Sequence, residues 1–322
     1  SLGVPVRILA DRPDEAAAAV AADLSFGRAD RAEDLAAFAR TCEVLTFDHE
    51  LVDLDAVDAL ARSGVAVRPG PATLECAVDK AVARRRFSAA GLPVPAFAEV
   101  DDPAAVEAFA RSSGWPVVLK AVRGGYDGRG VWIVADPLEA GPVVEDARRV
   151  GLRLLAEAWV PIERELAVMI ARRPGGETVV YPVVETVQID GLCREVRLHA
   201  GLGSEAADAA GALALQVAKE LDATGVLAVE LFDTGAGLVV NEIAARPHNS
   251  GHWTIEGAVT SQFENHLRAV LDLPLGLTEP VAPVVVMVNV VGPATGADPS
   301  AGLARALAVP GAHVHLYVKT AR

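Results

Sequence analysis

Residues 241–252 hold the densest group of reactive side chains in the 322-residue sequence. They include a glutamate, an arginine and two histidines beside amide and hydroxyl groups, and the apolar run 237–243 leads into them. A carboxylate binds cations, an arginine holds carboxylates or phosphates, and a histidine transfers protons. Polar groups at this density after a buried strand are rarely needed for packing. We therefore predict a functional site here, and the alternative is a polar turn.

Two glutamates on the strands before this segment indicate a metal site. The apolar runs 226–232 and 237–243 are separated by a short turn. If this hairpin is symmetric about Ala236, Glu230 lies opposite Glu242. Like charges directly opposite each other in a sheet are destabilising, and a hard cation with oxygen ligands removes the repulsion. We predict a Mg²⁺ site at Glu230 and Glu242; the alternative is a shifted register that leaves one of them exposed.

A glycine-rich loop between two apolar strands is the second candidate site. Four of the seven residues 124–130 are glycine, and Lys120 ends the strand before them. Glycines let backbone N–H groups approach phosphate oxygens closely. The loop joins strand to strand, so it is neither a P-loop nor a dinucleotide fingerprint. Tyr126, Asp127 and Arg129 favour a ligand-binding loop over a plain hairpin turn.

The next connector is expected to bind the remainder of a nucleotide. Glu157 lies near the end of a predicted strand, Pro161 breaks the chain, and Glu165 opens the next strand. An exposed connector of this kind can hold a purine edge and a ribose, although both glutamates could equally be solvated edge residues. Lys80, on a helix predicted over 72–90, is a further phosphate candidate, because only four of the 29 basic residues are lysine.

The elements that carry these residues follow from hydrophobic periodicity. Helices predicted over 14–22 and 53–63 alternate with short apolar strands, which indicates a parallel α/β layer. Apolar residues at helical spacing predict one helix over 254–273, with His266 on its surface. The patterns divide the chain into three predicted domains: 1–71, 72–275 and 276–322.

Composition excludes several classes of function. A net charge of −14 and a pI near 5.0 argue against nucleic acid and anionic membranes as the main partners. The sequence has no signal peptide and no apolar run of about eighteen residues, so we expect a cytoplasmic protein. The three cysteines are scattered without metal-ligand spacing and are expected to be reduced core residues.

These stretches, in this order, resemble the ATP-grasp superfamily and, within it, the 5-(carboxyamino)imidazole ribonucleotide synthase family. The signatures are Lys120 with loop 124–130, residues 157–160 with Glu165, and residues 241–252 continuing through 253–256 and 260–268. The glycine loop is widespread in the superfamily, whereas Arg-Pro-His-Asn-Ser-Gly-His is far more specific. The resemblance implies an α/β and α+β ATP-grasp fold. It would have an N-terminal parallel α/β pre-ATP-grasp domain, a lid subdomain at about 94–160 and a small C-terminal α+β domain.

The resemblance implies an ATP- and Mg²⁺-dependent ligase of purine biosynthesis. Bicarbonate would be phosphorylated to carboxyphosphate, and the amine of 5-aminoimidazole ribonucleotide would take up the carboxyl group, with release of ADP and phosphate. The implied partners are therefore small molecules, and the family implies a homodimer.

The resemblance also assigns roles to individual residues. Residues implied in ATP binding are Lys80, Lys120, Gly125, Tyr126, Asp127, Gly128, Arg129, Gly130, Val131, Glu157, Ala158, Trp159, Val160, Glu165, Gln188, Asn241 and Glu242, with Glu230 and Glu242 on the metal. Residues implied in catalysis are Tyr126, Asp127 and Arg129 near the aminoimidazole, and Arg246 and His248 near bicarbonate. Lys319 would bind the substrate phosphate. His248 would shuttle the amine proton near neutral pH.

The chain departs from the family pattern at three points. Family members begin with a strand and glycine-rich loop that this sequence lacks, continue past Lys319 with another arginine, and usually have arginine at position 80. Two other functions stay open. A formate- or biotin-dependent ATP-grasp ligase would keep Lys120, the glycine loop and both glutamates but not residues 246–252. A non-catalytic nucleotide-binding module would bind ATP without releasing ADP.

Overall fold

A computed structural model describes residues 2–13, 15, 17–18, 20–125, 129–198, 201–292 and 299–316. Its contacts divide the chain into two compact units. The first unit consists of Ser1–Leu45, Leu51–Val67 and Asn289–Arg322, and the second of Thr46–Glu50 and Arg68–Val288. The finer division into 1–71, 72–275 and 276–322, with a lid at about 94–160, stays a prediction.

The first unit contains the parallel strand pairs that the alternating pattern predicts. Strand β1 (Arg7–Ala10) pairs in parallel with β2 (Asp23–Phe26), and β3 (Val44–Leu45) pairs in parallel with β4 (Ala66–Val67). The helices between these strands are α1 (Ala32–Ala39) and α2 (Leu54–Arg62). Asp53 caps α2, since its carboxylate accepts from the N–H of Ala56.

The helix predicted over 14–22 is wrong. Its described residues, 15, 17–18 and 20–22, form no helix and mostly lie in turns and bends. Helices in proteins are stabilised mainly by burying an apolar face. Val20 is the only side chain in this run that is both apolar and larger than alanine, and it is 84% exposed. An alanine-rich composition without such packing does not hold a helix here.

The second unit begins with two helices where one was predicted over 72–90. They are α3 (Pro71–Val78) and α4 (Lys80–Ala89). Asp79 between them has an extended backbone (φ −116°, ψ 101°), and its carboxylate accepts from the N–H of Val82. An aspartate that caps a new helix competes with continuation of the previous one. The break makes Lys80 the first residue of α4.

A four-stranded antiparallel sheet with two helices follows. Its elements are β5 (Phe97–Val100), α5 (Pro103–Ser113), β6 (Val117–Ala121), β7 (Val131–Val134), α6 (Pro137–Arg149) and β8 (Leu154–Ala158). The strand order is β5-β8-β6-β7. Apolar residues of both helices, such as Val106 and Val144, are buried with Leu119 of β6. The glycine loop joins β6 to β7, as predicted, and Lys120 pairs with Val131 across its base.

A larger antiparallel sheet forms the centre of the second unit. Its strands are β9 (Arg164–Arg172), β10 (Thr178–Val180), β11 (Val184–Ile189), β12 (Leu192–Leu198), β13 (Gly225–Asp233), β14 (Leu238–Ala244) and β15 (Val285–Val288). They run in the order β14-β13-β9-β11-β12-β15, and β10 pairs with β9. Helix α7 (Ser204–Glu220) shares one buried cluster with β9 and β13. Met169 and Trp253 belong to another cluster.

The helix predicted over 254–273 is also divided, into α8 (Thr254–Gly257) and α9 (Gln262–Val270). Ala258 is extended (φ −124°, ψ 158°) and forms a β-bridge with Pro280. Ser261 then caps α9 by accepting from the N–H of Glu264. The apolar spacing continues across the break because both pieces pack on the same unit, so periodicity alone did not reveal it. Farther along, a 3-10 turn, Pro299–Gly302, leads into α10 (Leu303–Leu307).

His266 on α9 is buried rather than on the surface as predicted, with 4% exposure. Its Nδ1 accepts from the N–H of Val226 at 3.0 Å, and its Nε2 lies 2.8 Å from Thr46 Oγ1. A histidine whose two nitrogens both have partners is stable in an apolar interior only when neutral. Burial accordingly lowers the pKa of His266 to about 4.

Acid conditions are expected to destabilise this part of the fold through His266. His266 in the unfolded chain binds a proton near pH 6.5, and in the folded protein only near pH 4. The contribution of the neutral ring to the free energy of unfolding is therefore complete above pH 6.5 and is lost as the pH falls toward 4. We expect His266→Gln, which can keep both hydrogen bonds, to flatten this decline. Urea denaturation across that pH range measures it. An equal effect of His313→Gln, at an exposed position, would contradict the explanation.

Among the described residues, no helix has both the length and the apolar character needed to cross a membrane.

Candidate active site

Two facing glutamates lie on the β13–β14 hairpin. Glu230 pairs directly with Glu242, so the predicted register is confirmed at this point. Nearer the turn the register shifts, with Leu231 facing Val240, and Asn241 is left as the extra residue of a β-bulge. A bulge re-aims side chains relative to the regular alternation of a strand. It explains how the neighbours Asn241 and Glu242 both contact the lysines described next.

Two lysines predicted as phosphate ligands contact this hairpin. Lys120, on β6, donates to Asn241 Oδ1 at 3.1 Å and lies 2.8 Å from Glu157 Oε2. Lys80, at the start of α4, lies 3.4 Å from Glu242 Oε1. Three separate elements thus bring two ammonium groups to one pair of strands. Such an arrangement neutralises a polyphosphate chain from more than one side.

The base of the glycine loop lies beside Lys80. A Cβ at Gly125 would lie 2.8 Å from the carbonyl oxygen of Arg129 and 3.9 Å from Lys80 Nζ. Gly130 has φ +74°, where side chains are strained, and a Cβ there would lie 3.0 Å from Ala121 Cβ. Both glycines are therefore required by the close approach of the two ends of the loop. The approach also brings the loop next to the lysine expected to bind phosphate.

Glu157 is buried between two cations. Its Oε1 lies 2.6 Å from Arg84 Nε, and its Oε2 lies 2.8 Å from Lys120 Nζ. Glu157 is 2% exposed and Arg84 is 1% exposed. Burial alone would raise the pKa of Glu157, but Arg84 and Lys120 outweigh it and lower the pKa. The alternative that Glu157 is a solvated edge residue is therefore wrong, and its carboxylate holds Lys120 in position.

The two nearby lysines do not fully offset the burial of Glu230 and the negative charge around it. Burial, Glu242 and Glu165 raise the pKa of Glu230 to about 8, while Lys120 and Lys80 oppose the rise. The Glu230 side chain remains 30% exposed, so a cation from solution can reach it. A divalent cation stabilises facing carboxylates of this kind.

The donor set fits Mg²⁺ bound together with a nucleotide. Among the described residues, no group of three or more histidine, cysteine, aspartate or glutamate side chains is arranged to hold a metal. Mg²⁺ usually takes one or two protein carboxylates and completes its shell with water and substrate phosphates. Two facing glutamates beside two lysines predicted to bind phosphate match that requirement.

The segment after β14 carries Arg246 and His248. Arg246 Nε donates to Glu50 Oε2 at 2.7 Å, and the other oxygen of Glu50 is buried with no hydrogen-bond partner among the described residues. His248 Nε2 lies 3.6 Å from Glu230 Oε1. Burial, Arg246 and His252 lower the pKa of His248 to about 3. The ring is neutral at physiological pH, so titration near neutrality, which a proton shuttle requires, is not supported.

Gln262 fixes the main chain at His248. Its Oε1 accepts from the N–H of His248 at 2.9 Å, and its Nε2 donates to the His248 carbonyl at 2.8 Å. Thr254 Oγ1 donates to the Gly251 carbonyl at 2.6 Å and accepts from the N–H of Gln262. A Cβ at Gly251 would overlap the Gln262 amide, so glycine is required there. The fully buried side chain of Gln262 therefore holds the main chain at His248 in place.

Most of the predicted site residues that the structure describes lie in or beside one connected cluster. Its members are Lys80, Lys120, Glu157, Glu230, Asn241, Glu242 and His248. Glu165 influences the pKa of Glu230 and belongs beside them. Gln188 pairs with Cys193, whose pKa is raised to about 11 by burial, Glu230 and Glu165.

The remaining predicted residues are less well defined by contacts. Ala158 ends β8 and is followed by the exposed Trp159 and by Val160, while Arg129 and Val131 are exposed at the loop. Tyr126, Asp127, Gly128 and Lys319 lie outside the described residues. Sequence reasoning missed Arg84, Glu50, Ser250 and Gln262. Ser250 and Gln262 lie within stretches that carried the family resemblance, and this was the available signal.

Comparison with known proteins identifies the architecture. The model described as "ATP-grasp domain" matches residues 85–263, which is more than half of the chain. "Ribonucleotide synthetase preATP-grasp domain" matches 1–78, and "Phosphoribosylaminoimidazole carboxylase C-terminal domain" matches 285–322. The N5-carboxyaminoimidazole ribonucleotide synthase of Mycobacterium leprae is 50% identical over 91% of this chain and 69% of its own. The chain belongs to the N5-carboxyaminoimidazole ribonucleotide synthase family.

Solved structures of this synthase family share the fold. The enzyme from Thermus thermophilus has a TM-score of 0.88 and 37% identity, covering 100% of this chain and 85% of that one. The Aspergillus clavatus synthase complexed with ATP has a TM-score of 0.90 and 32% identity, covering 99% and 84%. The predicted ATP-grasp fold is confirmed, and the chain is an ATP-dependent ligase.

Proposed function

We propose that this chain carboxylates 5-aminoimidazole ribonucleotide with bicarbonate and ATP, giving N5-carboxyaminoimidazole ribonucleotide, ADP and phosphate. The observation that carries the proposal is the continuous cluster from Lys120 through Asn241 and the facing glutamates to His248. It joins groups suited to phosphoryl transfer to groups suited to a carboxylate. Support for the substrate comes from an Aspergillus clavatus relative solved with ADP and 5-aminoimidazole ribonucleotide.

In the first proposed step an oxygen of bicarbonate attacks the γ-phosphorus of ATP, and the bond to the β,γ-bridging oxygen breaks to release ADP. Phosphoryl transfer depends mainly on positioning and charge neutralisation. Lys120 enters the step already oriented by Glu157 and Asn241, so little reorganisation is needed. Lys80 supplies a second positive charge beside Gly125. When bound by Glu230 and Glu242, Mg²⁺ would neutralise phosphate oxygens.

In the second proposed step the amine nitrogen attacks the carboxyl carbon of carboxyphosphate, and the carbon–oxygen bond to phosphate breaks. The departing phosphate takes up the amine proton, which balances the step. Arg246 presents a planar guanidinium suited to a carboxylate, and Glu50 fixes its orientation. Carboxyphosphate hydrolyses readily, so closure of the glycine loop over the site would exclude water.

Several finer assignments are carried over from the family as part of this proposal. The nucleotide base would contact Glu157, Ala158, Trp159 and Val160, with the ribose at Glu165 and Gln188 nearby. Tyr126, Asp127 and Arg129 would face the aminoimidazole, and Lys319 the substrate phosphate. A homodimer and a cytoplasmic location are also proposed, because both are typical of a biosynthetic synthase of this family.

The decisive assay measures ADP release in the presence of bicarbonate and Mg²⁺, with and without 5-aminoimidazole ribonucleotide. We expect release that depends on the ribonucleotide. Formate and biotin serve as competing acceptors, and stimulation by either one instead would identify a different ATP-grasp ligase. ATP binding without ADP release under all conditions would indicate a non-catalytic module.

A further inference from the structure

The contacts around His248 define which ring nitrogen carries its proton. Nδ1 lies 2.9 Å from Ser250 Oγ and 3.4 Å from the main-chain nitrogen of Ser250. The main-chain N–H is a fixed donor, so a hydrogen on Nδ1 would point at the hydrogen of this N–H and repel it. Nδ1 is therefore the acceptor nitrogen of the ring. Ser250 is 1% exposed, so water does not compete for this contact.

The hydroxyl group of Ser250 reinforces the same choice. The hydroxyl hydrogen of Ser250 has two acceptors within reach of Oγ. These are His248 Nδ1 at 2.9 Å and Met169 Sδ at 3.7 Å. A thioether sulfur is a weak acceptor compared with an imidazole nitrogen. The hydroxyl hydrogen consequently goes to Nδ1, and both donors of Ser250 are directed at one lone pair. Because Nδ1 accepts from the main-chain N–H of Ser250, it carries no hydrogen, and the one hydrogen of the ring nitrogens lies on Nε2.

The opposite side of the ring faces the reacting groups. His248 Nε2 lies 3.6 Å from Glu230 Oε1. Gln262 holds the main chain of His248 through both its N–H and its carbonyl, and the contacts of Nδ1 with Ser250 orient the ring. An N–H at Nε2 is thus directed toward the part of the site where the carboxylates, and in the proposed reaction the phosphate and carboxyl oxygens, lie.

We propose that Ser250 is a positioning residue that holds neutral His248 as its Nε2–H tautomer and makes it a hydrogen-bond donor to an anionic oxygen. This proposal rests on the proposed function. In the carboxylation step the donor would stabilise negative charge developing on the leaving phosphate or on the tetrahedral oxygen. His248 does not accept the amine proton, because its lone pair is directed at Ser250.

The tautomer can be observed directly by nitrogen NMR of enzyme labelled with ¹⁵N-histidine. Loss of a signal in His248→Gln assigns the resonances. We expect the Nδ1 shift of an unprotonated ring nitrogen and the Nε2 shift of a protonated one. A protonated Nδ1 in the wild-type enzyme would overturn the proposal. This measurement needs no substrate, so it does not depend on the proposed function.

Kinetics of Ser250→Ala provide the second test. We expect kcat for ribonucleotide-dependent ADP release to fall about tenfold to a hundredfold, the range seen for residues that orient a functional histidine in metal sites. The KM for ATP should change little, and the NMR signals should indicate a mixture of tautomers. Ser250→Thr, which keeps the hydroxyl, should recover the wild-type tautomer and much of the rate. An unchanged kcat in Ser250→Ala would contradict the proposal.

A matched control is Ser261→Ala, which removes the cap of α9 without touching the His248 ring. It should lower the thermal stability slightly and leave both the tautomer and kcat unchanged. A tautomer change in this variant would overturn the assignment to Ser250. If the wild-type enzyme releases no ADP with the ribonucleotide, the proposed function fails, and the NMR result still decides the tautomer.

Discussion

Glu230→Gln is expected to reduce ATP turnover roughly a hundredfold to a thousandfold, the cost of removing one directed electrostatic group from a transition state. The same change is expected to leave the metal-free enzyme as stable as the wild type. Glu230 directly faces Glu242, and like charges opposite each other are destabilising. Because the pKa of Glu230 is raised to about 8, a glutamine resembles the protonated acid that prevails without metal at pH 7.

Thermal unfolding with and without Mg²⁺ and a non-hydrolysable ATP analogue separates the two roles. The ligands should raise the Tm of the wild type and have little effect on Glu230→Gln. Glu242→Gln should lose turnover to a similar extent. Glu264→Gln, at a helix residue that pairs with Arg268, is the control and should keep normal turnover. Near-normal turnover in Glu230→Gln would contradict a role for Glu230 in binding Mg²⁺. A large loss of stability without metal would mean that Glu230 and Glu242 stabilise the fold instead.

Glu230 faces Glu242 as predicted, although the hairpin is not symmetric about Ala236. Next to the turn, Asp233 faces Leu238 and Leu231 faces Val240, which is one residue short of the symmetric register. The extra residue of the bulge at Asn241 restores the pairing of the two glutamates. The bulge was not predicted, since an extra residue in a strand changes neither its length pattern nor its hydrophobicity noticeably. It allows Asn241 to contact Lys120 while Glu242 contacts Lys80.

Long-range partners could not be predicted from residue spacing. Arg84 and Glu157 are 73 positions apart, and Glu50 and Arg246 are 196 positions apart. Their pairing follows from the tertiary fold rather than from local spacing. The two helices that are divided in the structure were predicted as continuous for a different reason. Asp79 and Ser261 each cap a new helix, while the apolar spacing continues across the break. At Asp79, α4 begins where the apolar spacing predicts one continuous helix.

Glu157→Gln is expected to lower the free energy of unfolding by about 3–5 kcal/mol, the range for breaking a buried ion pair from one side. Glu157 is shared by Arg84 at 2.6 Å and Lys120 at 2.8 Å, and all three are nearly inaccessible to water. Without the carboxylate, the buried Arg84 and Lys120 would both lose the anionic partner that they share. Urea denaturation of the metal-free protein measures the loss. The control is Glu220→Gln, whose partially exposed pair with Arg86 should be worth about 0–1 kcal/mol.

The double variant Arg84→Met/Glu157→Gln tests whether the loss comes from unpaired charge. Arg84 already has a buried Nη2 without a hydrogen-bond partner among the described residues, so an apolar side chain at this position removes a desolvation cost. We expect the double variant to be more stable than Glu157→Gln alone, so that the losses of Arg84→Met and Glu157→Gln are less than additive. We expect the double variant to bind ATP more weakly than the wild type, because Glu157 no longer holds Lys120 in position. Additive losses, or a cost below about 1 kcal/mol for Glu157→Gln, would mean that unpaired buried charge is not the cause of the lost stability.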